Sequence, residues 1–166
     1  QGCNNLIIPE VAPGLILDLV EKEKIELTLW VPAVILFLLQ HPNAEKTDFS
    51  SLKVVVYGAS PIAEDTVVNA IKLMNCGFYQ VYGLTETSGA ITCLVSEDHD
   101  PKKNKLRSCG KALPGVEIKV IDDAGNEVDQ GEVGEIITKS DDITINKDSD
   151  ALKIKVSNTG DRPIQV

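Results

Sequence analysis

The sequence lacks the cysteine and histidine patterns that mark many metal and redox proteins. Its four cysteines include no C-x-x-C pair, so the sequence predicts neither a zinc site nor a dithiol redox motif. The two histidines, His41 and His99, lie far apart and have no cysteine or carboxylate cluster beside them. We therefore expect reduced thiols and no metal bound by histidine.

The sequence also lacks a long basic run, a signal peptide and a long apolar run. It has 25 acidic and 16 basic residues and a net charge of −9, which argues against nucleic acid or an anionic membrane as a partner. Its longest apolar stretch, residues 31–39, contains Pro32 and is much shorter than the roughly 20 residues of a membrane span. Because no signal-peptide pattern is present, we predict a cytoplasmic protein without a membrane span.

The apolar periodicity of the first hundred residues predicts alternating helices and strands. Leu15, Leu19 and Val20 are spaced to share one helix face, and Pro32 suits the first position of a helix. A strand, a helix and a second strand in this order are typical of a parallel βαβ unit. The predicted helices are 15–24, 32–40 and 63–74, and the predicted strands are 26–31, 53–57 and 78–82.

The second part of the chain predicts antiparallel β structure. From Val116 the segments are short, with turn compositions at residues 123–126 and 129–131. Residues 143–145 and 152–156 alternate between apolar and polar side chains, which predicts two half-buried strands. The predicted fold class is α/β: a partial parallel βαβ sheet, a smaller antiparallel β segment and a C-terminal β-hairpin. The predicted domains are 1–100, 101–137 and 138–166, with residues 97–105 as the boundary loop.

The most informative motif is the run from Tyr82 to Glu86, directly after the apolar residues 78–81. Ligands of open α/β sheets bind at the carboxyl ends of the strands. Gly83 permits a sharp turn or a close approach, the Thr85 hydroxyl can donate to phosphate, and the Glu86 carboxylate suits Mg²⁺. The alternative is structural, with Thr85 as a helix N-cap and Glu86 in the first turn.

Three further segments surround this motif. They are the strand and turn at residues 51–61, which ends in Gly-Ala-Ser-Pro, then residues 107–117 and residues 131–136. Together and in this order, the four segments resemble the adenylate-forming (AMP-binding) superfamily, and within it the acyl-CoA ligases that act on fatty acids. The resemblance covers residues 1 to about 137.

The resemblance implies roles for the residues of the central motif. Tyr82 is expected to lie against the adenine ring, with Gly83 beside it in the nucleotide site. Thr85 is expected to hold the phosphate of the acyl-adenylate, and Glu86 to bind the Mg²⁺ that accompanies ATP. Thr85 and Glu86 are thus the candidate catalytic residues.

The resemblance also assigns two glycine-containing turns. Gly58, Ala59 and Ser60 match the turn that lines the adenine pocket through backbone groups. Gly89 matches the position where the family lets the acyl chain pass close to the backbone. The alternative for Gly58 and Gly89 is plain turn-making without ligand contact.

Two parts of the family pattern have no counterpart in this sequence. A glycine- and Ser/Thr-rich phosphate loop and a late catalytic lysine are both missing, and Gln1 stands where an initiator Met would be. These differences predict an internal fragment of an ATP-dependent fatty-acyl-CoA ligase that turns over little or no substrate by itself. The cosubstrates implied are a fatty acid, ATP with Mg²⁺, and CoA.

The last part of the chain departs from the ligase pattern. Residues 142–147 and 152–166 resemble the opening of the urease β subunit, which implies a scaffold role and possible contact with urease subunits through the tail only. The junction is predicted at residues 134–137. Asp161, in an Asn-Thr-Gly-Asp run, is favoured as a β-turn residue over a ribose ligand. The alternatives to the ligase fragment are therefore a urease-β-like structural segment with an unrelated leader and a fusion without function.

Overall fold

A computed structural model of the chain describes residues 3–140. None of the helices in this range is long and apolar enough to cross a membrane. The elements are the helices α1 (Pro13–Lys22), α2 (Pro32–Gln40) and α3 (Glu64–Met74), and the strands β1 (Leu27–Trp30), β2 (Val54–Gly58), β3 (Gly77–Leu84), β4 (Gly89–Leu94), β5 (Lys111–Ala112), β6 (Val116–Ile121) and β7 (Glu135–Ser140).

The strands form a mixed five-stranded sheet and a two-stranded sheet. The order of the larger sheet is β1-β2-β3-β4-β5, and the smaller sheet pairs β6 with β7. Strands β1 and β2 are parallel and are connected by α2, so they form a βαβ unit. Strand β4 is antiparallel to both β3 and β5, and β6 is antiparallel to β7. The α/β prediction is confirmed, while the predicted C-terminal hairpin lies outside the described residues.

The chain divides into two compact units, residues 1–78 and 79–166. In the first unit, two helices begin at a proline, whose fixed φ angle suits the first helical position. Helix α2 has the predicted bounds, whereas α1 begins two residues earlier and ends two residues earlier than predicted. Lys24, with a φ of 50°, lies in the left-handed region just after α1, and Asn75 ends α3 in the same conformation.

The core of the first unit follows from the alternation along β1 and β2. The register pairs Leu27 with Val54 and Trp30 with Tyr57, so Trp30 and Tyr57 share one face of the sheet. Both are buried, and the Tyr57 ring packs against Phe78 with 6.2 Å between the ring centroids. Buried helix residues add to this core: Ile16, Leu17, Val20, Val34, Ile35, Leu38, Val67, Ala70 and Met74.

The other face of β1 carries exposed apolar side chains. Leu27 is 62% exposed and Leu29 is 67% exposed, next to the half-buried Val54 and Val56. Among the described strands β1 is the first in the sheet order and pairs with β2 alone. An apolar strand at a sheet edge is a site of self-association.

We expect Leu29→Lys to raise the monomeric fraction of the chain, because it places a charge on this apolar edge. Sedimentation velocity of wild type and variant at matched concentration measures the effect. Gln40→Lys is the matched control, since it adds the same charge at an exposed position of α2 without removing an apolar side chain. Equal self-association of wild type and Leu29→Lys would contradict the assignment of the β1 edge.

In the second unit, β3 continues to Leu84, two residues beyond the predicted end at Tyr82. The strand is able to continue because β4 pairs with it up to Leu84, with a bulge between Tyr82 and Gly83. The predicted boundary loop, residues 97–105, contains two short 3-10 helices and lies between β4 and β5, which pair in the same sheet. The sheet therefore changes after Ala112, between β5 and β6.

The smaller sheet confirms the antiparallel prediction for the second half of the chain. The Asp122 carboxylate accepts hydrogen bonds from the backbone amides of Ala124 and Asn126, which closes the predicted turn at residues 123–126. Strand β7 begins at Glu135, inside the predicted junction at residues 134–137, and pairs with β6 in one register through Ser140. Its Ile136 is 2% exposed and pairs with Val120. The ladder thus extends to Ser140.

Candidate functional site

The site begins at the turn between β3 and β4. Residues Thr85–Thr87 form a single 3-10 turn, closed by a hydrogen bond from the Ser88 amide to the Thr85 carbonyl. Leu84 occupies the capping position in extended conformation, so the alternative that Thr85 is the N-cap is wrong. Glu86 lies in the first turn, as that alternative expected. The central motif therefore spans the last strand residues and the turn itself.

Gly83 has a structural reason within this turn. A Cβ atom at Gly83 would lie 1.9 Å from the Gly89 carbonyl oxygen and 2.7 Å from the Ala90 Cα atom. Contacts this short do not occur, so any side chain at this position separates β3 from β4. The close approach at Gly83 is thus to the neighbouring strand, and a close approach to a ligand stays a prediction.

Tyr82 lies on β3 directly opposite Thr92 of β4. Burial, and secondarily the electrostatic effect of the nearby Cys109, raises the pKa of the Tyr82 phenol. The ring is therefore neutral near neutral pH and half-buried, which suits stacking against a planar base. Thr92 is 3% exposed, and its hydroxyl donates to the Cys109 carbonyl oxygen at 2.7 Å. This bond ties β4 to the segment that precedes β5.

Thr85 and Gly89 are exposed on the turn. A Cβ atom at Gly89 would meet nothing within 4 Å, yet the φ angle of 128° favours glycine. The backbone conformation alone therefore explains the glycine at residue 89. The space where a side chain would lie is open.

Between residues 3 and 140 there is no group of three histidine, cysteine or acidic residues placed to hold a metal ion. A Mg²⁺ held by one carboxylate and the phosphates of a nucleotide requires no such group.

The second predicted turn, Gly58 to Ser60, begins at the last residue of β2 in the first compact unit. Gly58 is buried, whereas Ala59 and Ser60 are exposed. Ala59 has a φ of 66°, a left-handed conformation that costs a non-glycine residue about 1–2 kcal/mol. Strain of this kind is concentrated at binding sites. The strained backbone makes Ala59 a stronger candidate for a ligand-binding position than its residue type suggests.

Sequence reasoning missed three residues that shape the second unit. Thr87 and Thr92 form the side-chain hydrogen bonds that hold the β3–β4 turn and the start of β5. Gly110 has a φ of 89°, and a Cβ atom there would lie 2.0 Å from the Cys93 carbonyl oxygen. Gly110 lies within the segment 107–117 that supported the resemblance, but a turn composition does not reveal which glycine meets another strand.

Comparison with known proteins identifies the family to which this chain belongs. The profile of the AMP-binding enzyme family matches residues 1–145, so the chain belongs to this family. The profile of the urease beta subunit matches residues 133–166, which overlaps the first match. Both resemblances inferred from the sequence are thus found, and the overlap includes β7.

Two of the relatives are ligases of fatty acids. The chain is 37% identical over 136 residues to a medium/long-chain-fatty-acid–CoA ligase, FadD8, of Mycobacterium tuberculosis. This alignment covers 82% of the chain and 24% of that protein. It is 38% identical over 119 residues to a fatty acid–[acyl-carrier-protein] ligase, ScoC, of Streptomyces coeruleorubidus, covering 72% of this chain and 23% of that protein. The chain thus spans about a quarter of the length of these curated relatives.

A solved structure shares the fold. The amide bond synthetase McbA of Marinactinospora thermotolerans superposes with a TM-score of 0.74 at 32% identity, over 80% of this chain and 26% of that chain. The α/β fold of the described residues is therefore that of a portion of an adenylate-forming enzyme.

Proposed function

We propose that this chain is a nucleotide-holding portion of an ATP-dependent fatty-acyl-CoA ligase. Such an enzyme adenylates a carboxylate with ATP and then transfers the acyl group to the thiol of CoA. The observation that carries the proposal is the Tyr-Gly-Leu-Thr-Glu motif, whose first three residues end β3 and whose last two begin the turn to the paired strand β4. Membership of the AMP-binding family and the fatty-acid ligases among the relatives support it.

The chemistry of the turn fits a nucleotide phosphate. The exposed Thr85 hydroxyl can donate to a phosphate oxygen, and Glu86 supplies a carboxylate as a hard oxygen ligand. Glu86 would hold Mg²⁺ together with the phosphates, and the metal would neutralise the phosphate charge that develops when the carboxylate of the fatty acid attacks ATP. The half-buried Tyr82 ring offers a face to adenine. The role proposed for the turn at Gly58, Ala59 and Ser60, backbone contact with adenine, follows from the resemblance to the family.

Gly89 is proposed to let the acyl chain pass along the backbone. Its exposed position and the open space where a side chain would lie support this role. The carbonyl of the same residue accepts a hydrogen bond from Thr87, so its backbone is held in place.

Activity of the isolated chain is expected to be low. Adenylyl transfer requires several groups to position and stabilise the reacting phosphate at once. The sequence contains neither the glycine-rich phosphate loop nor the late lysine of the family. We therefore propose nucleotide binding with little or no turnover as the property of this chain, and CoA as a substrate of the complete enzyme. Cytoplasmic localisation stays a prediction.

A second candidate function concerns the tail. Because residues 133–166 match the urease beta subunit, this segment is a candidate scaffold strand pair, and urease subunits are its candidate partners. The match covers a small part of the chain, so we propose it for the tail only.

Removal of the Tyr82 ring tests the nucleotide proposal. The wild-type chain is expected to bind ATP or AMP with a dissociation constant of about 1 mM, which corresponds to a binding free energy of about −4 kcal/mol. Tyr82→Ala should weaken this binding about fivefold, since stacking of a base on an aromatic ring contributes on the order of 1 kcal/mol or more. Titration followed by ligand-observed NMR is suited to such weak binding.

Two controls accompany Tyr82→Ala. Tyr79→Ala removes another half-buried tyrosine side chain, three residues earlier on the same strand, and should leave the nucleotide affinity unchanged. Asp161→Ala should also have no effect if Asp161 is a turn residue. Loss of binding in Asp161→Ala with retention in Tyr82→Ala would refute both the Tyr82 assignment and the predicted junction.

A further inference from the structure

The side chain of Thr87 connects the two ends of the β3–β4 turn. Its hydroxyl oxygen accepts a hydrogen bond from the Leu84 backbone amide at 2.9 Å. The same oxygen lies 2.7 Å from the Gly89 carbonyl oxygen and 2.9 Å from the Leu84 carbonyl oxygen. Since a hydroxyl has one proton, it donates to one of these two carbonyls at a time.

These contacts fix both residues that flank the turn. Leu84 is the last residue of β3, and Gly89 is the first residue of β4. Between them the chain passes through the short 3-10 turn, then through Ser88 with a φ of 57° and Gly89 with a φ of 128°. A single 3-10 turn has little stability of its own, so its conformation depends on such anchors.

We propose that Thr87 is a positioning residue, whose hydroxyl holds the backbone of Thr85 and Glu86 in the conformation that receives a nucleotide phosphate. The proposal rests on the proposed function of the turn. Without the hydroxyl, the Leu84 amide loses its side-chain acceptor and the Gly89 carbonyl loses its donor. The residues between these two anchors then sample other conformations, and phosphate binding has to order them again.

This role differs from a general contribution to stability. If Thr87 acts on the phosphate-binding residues, loss of its hydroxyl lowers the affinity for ligands that carry a phosphate. The affinity for ligands that lack a phosphate is unchanged. Adenosine and AMP differ in this single group, so the ratio of their affinities reports on the turn. A change that only loosens the fold weakens both ligands alike.

The experiment compares three variants of the full 166-residue chain. Thr87→Val keeps the shape of the side chain and removes the hydroxyl, whereas Thr87→Ser keeps the hydroxyl. Thr47→Val is the matched control, because the Thr47 hydroxyl also donates to a backbone carbonyl, that of Asn43 at 2.9 Å, beside a 3-10 helix outside the proposed site. Dissociation constants for adenosine and for AMP with Mg²⁺ are measured by ligand-observed NMR.

We expect Thr87→Val to lower the affinity for AMP about fivefold, which is the usual effect of one lost hydrogen bond, and to leave the affinity for adenosine unchanged. Thr87→Ser should restore AMP binding to within about twofold, and Thr47→Val should bind both ligands as the wild type does. Equal weakening of adenosine and AMP in Thr87→Val, or no change in either, overturns the positioning role while the proposed function stands. If the wild-type chain binds neither ligand, the proposed function fails, and this inference fails with it.

Discussion

Replacement of Gly110 by alanine is expected to lower the free energy of unfolding by about 3 kcal/mol, from left-handed strain together with overpacking. The φ angle of Gly110 is 89°, and the added Cβ atom would lie 2.0 Å from the Cys93 carbonyl oxygen and 2.2 Å from the Leu94 nitrogen. Backbone atoms cannot rotate away as a side chain does, so β4 and the residues before β5 have to separate.

Gly125→Ala is the control for Gly110→Ala. Gly125 has nearly the same φ angle, 86°, but a Cβ atom there would meet nothing within 4 Å. Its replacement should cost only the backbone strain, about 1 kcal/mol. Urea denaturation of both variants measures the difference. Equal losses of stability would show that the contact between Gly110 and β4 does not constrain the fold.

Truncation after Gly134 is expected to lower the free energy of unfolding of the second unit by more than about 3 kcal/mol, because it removes a buried isoleucine together with a strand. Strand β7 pairs with β6 along its whole length, from Val116–Ser140 to Ile121–Glu135. Its Ile136 is 2% exposed. The half of the sheet that remains would have an unpaired edge and an uncovered core position.

Truncation after Ser140 is the matched comparison. It keeps the complete β6–β7 ladder and removes only the residues that resemble the urease β subunit beyond the strand. We expect it to change the free energy of unfolding by no more than about 1 kcal/mol, as is usual away from a shared core. Denaturant unfolding and limited proteolysis of both truncated chains provide the test. A large loss after Ser140 would mean that the tail is an integrated part of the ligase-like portion.

The elements that the sequence predicted well are those whose signals are local. Pro32 begins α2 at the predicted residue because its fixed φ angle and missing amide hydrogen suit the first turn of a helix. The turn at residues 123–126 was predicted from its composition, and the Asp122 carboxylate just before it accepts from the amides of Ala124 and Asn126. The phosphate chemistry that the central motif indicates, a hydroxyl for a phosphate oxygen and a carboxylate for Mg²⁺, stays a prediction.

The features that the sequence did not predict depend on contacts between distant strands. The extension of β3 to Leu84 requires pairing with Gly89, and the need for glycine at residues 83 and 110 comes from backbone atoms of β4. The left-handed conformation of Ala59 has no compositional signal, because alanine rarely adopts it. The hydroxyl of Thr87 looked like one more polar residue of a loop, and its three backbone contacts appear only when the turn is closed.

The most direct test of the account is an amide NMR titration of the isotopically labelled 166-residue chain with AMP and Mg²⁺. The account predicts concentration-dependent shifts of the amide signals of residues 82–89 and 58–60, and no shift of the turn at residues 122–126. Shifts confined to residues 158–161, or no shifts at an AMP concentration of about 10 mM, tenfold above the expected dissociation constant, would contradict the proposal that the turn after β3 holds a nucleotide.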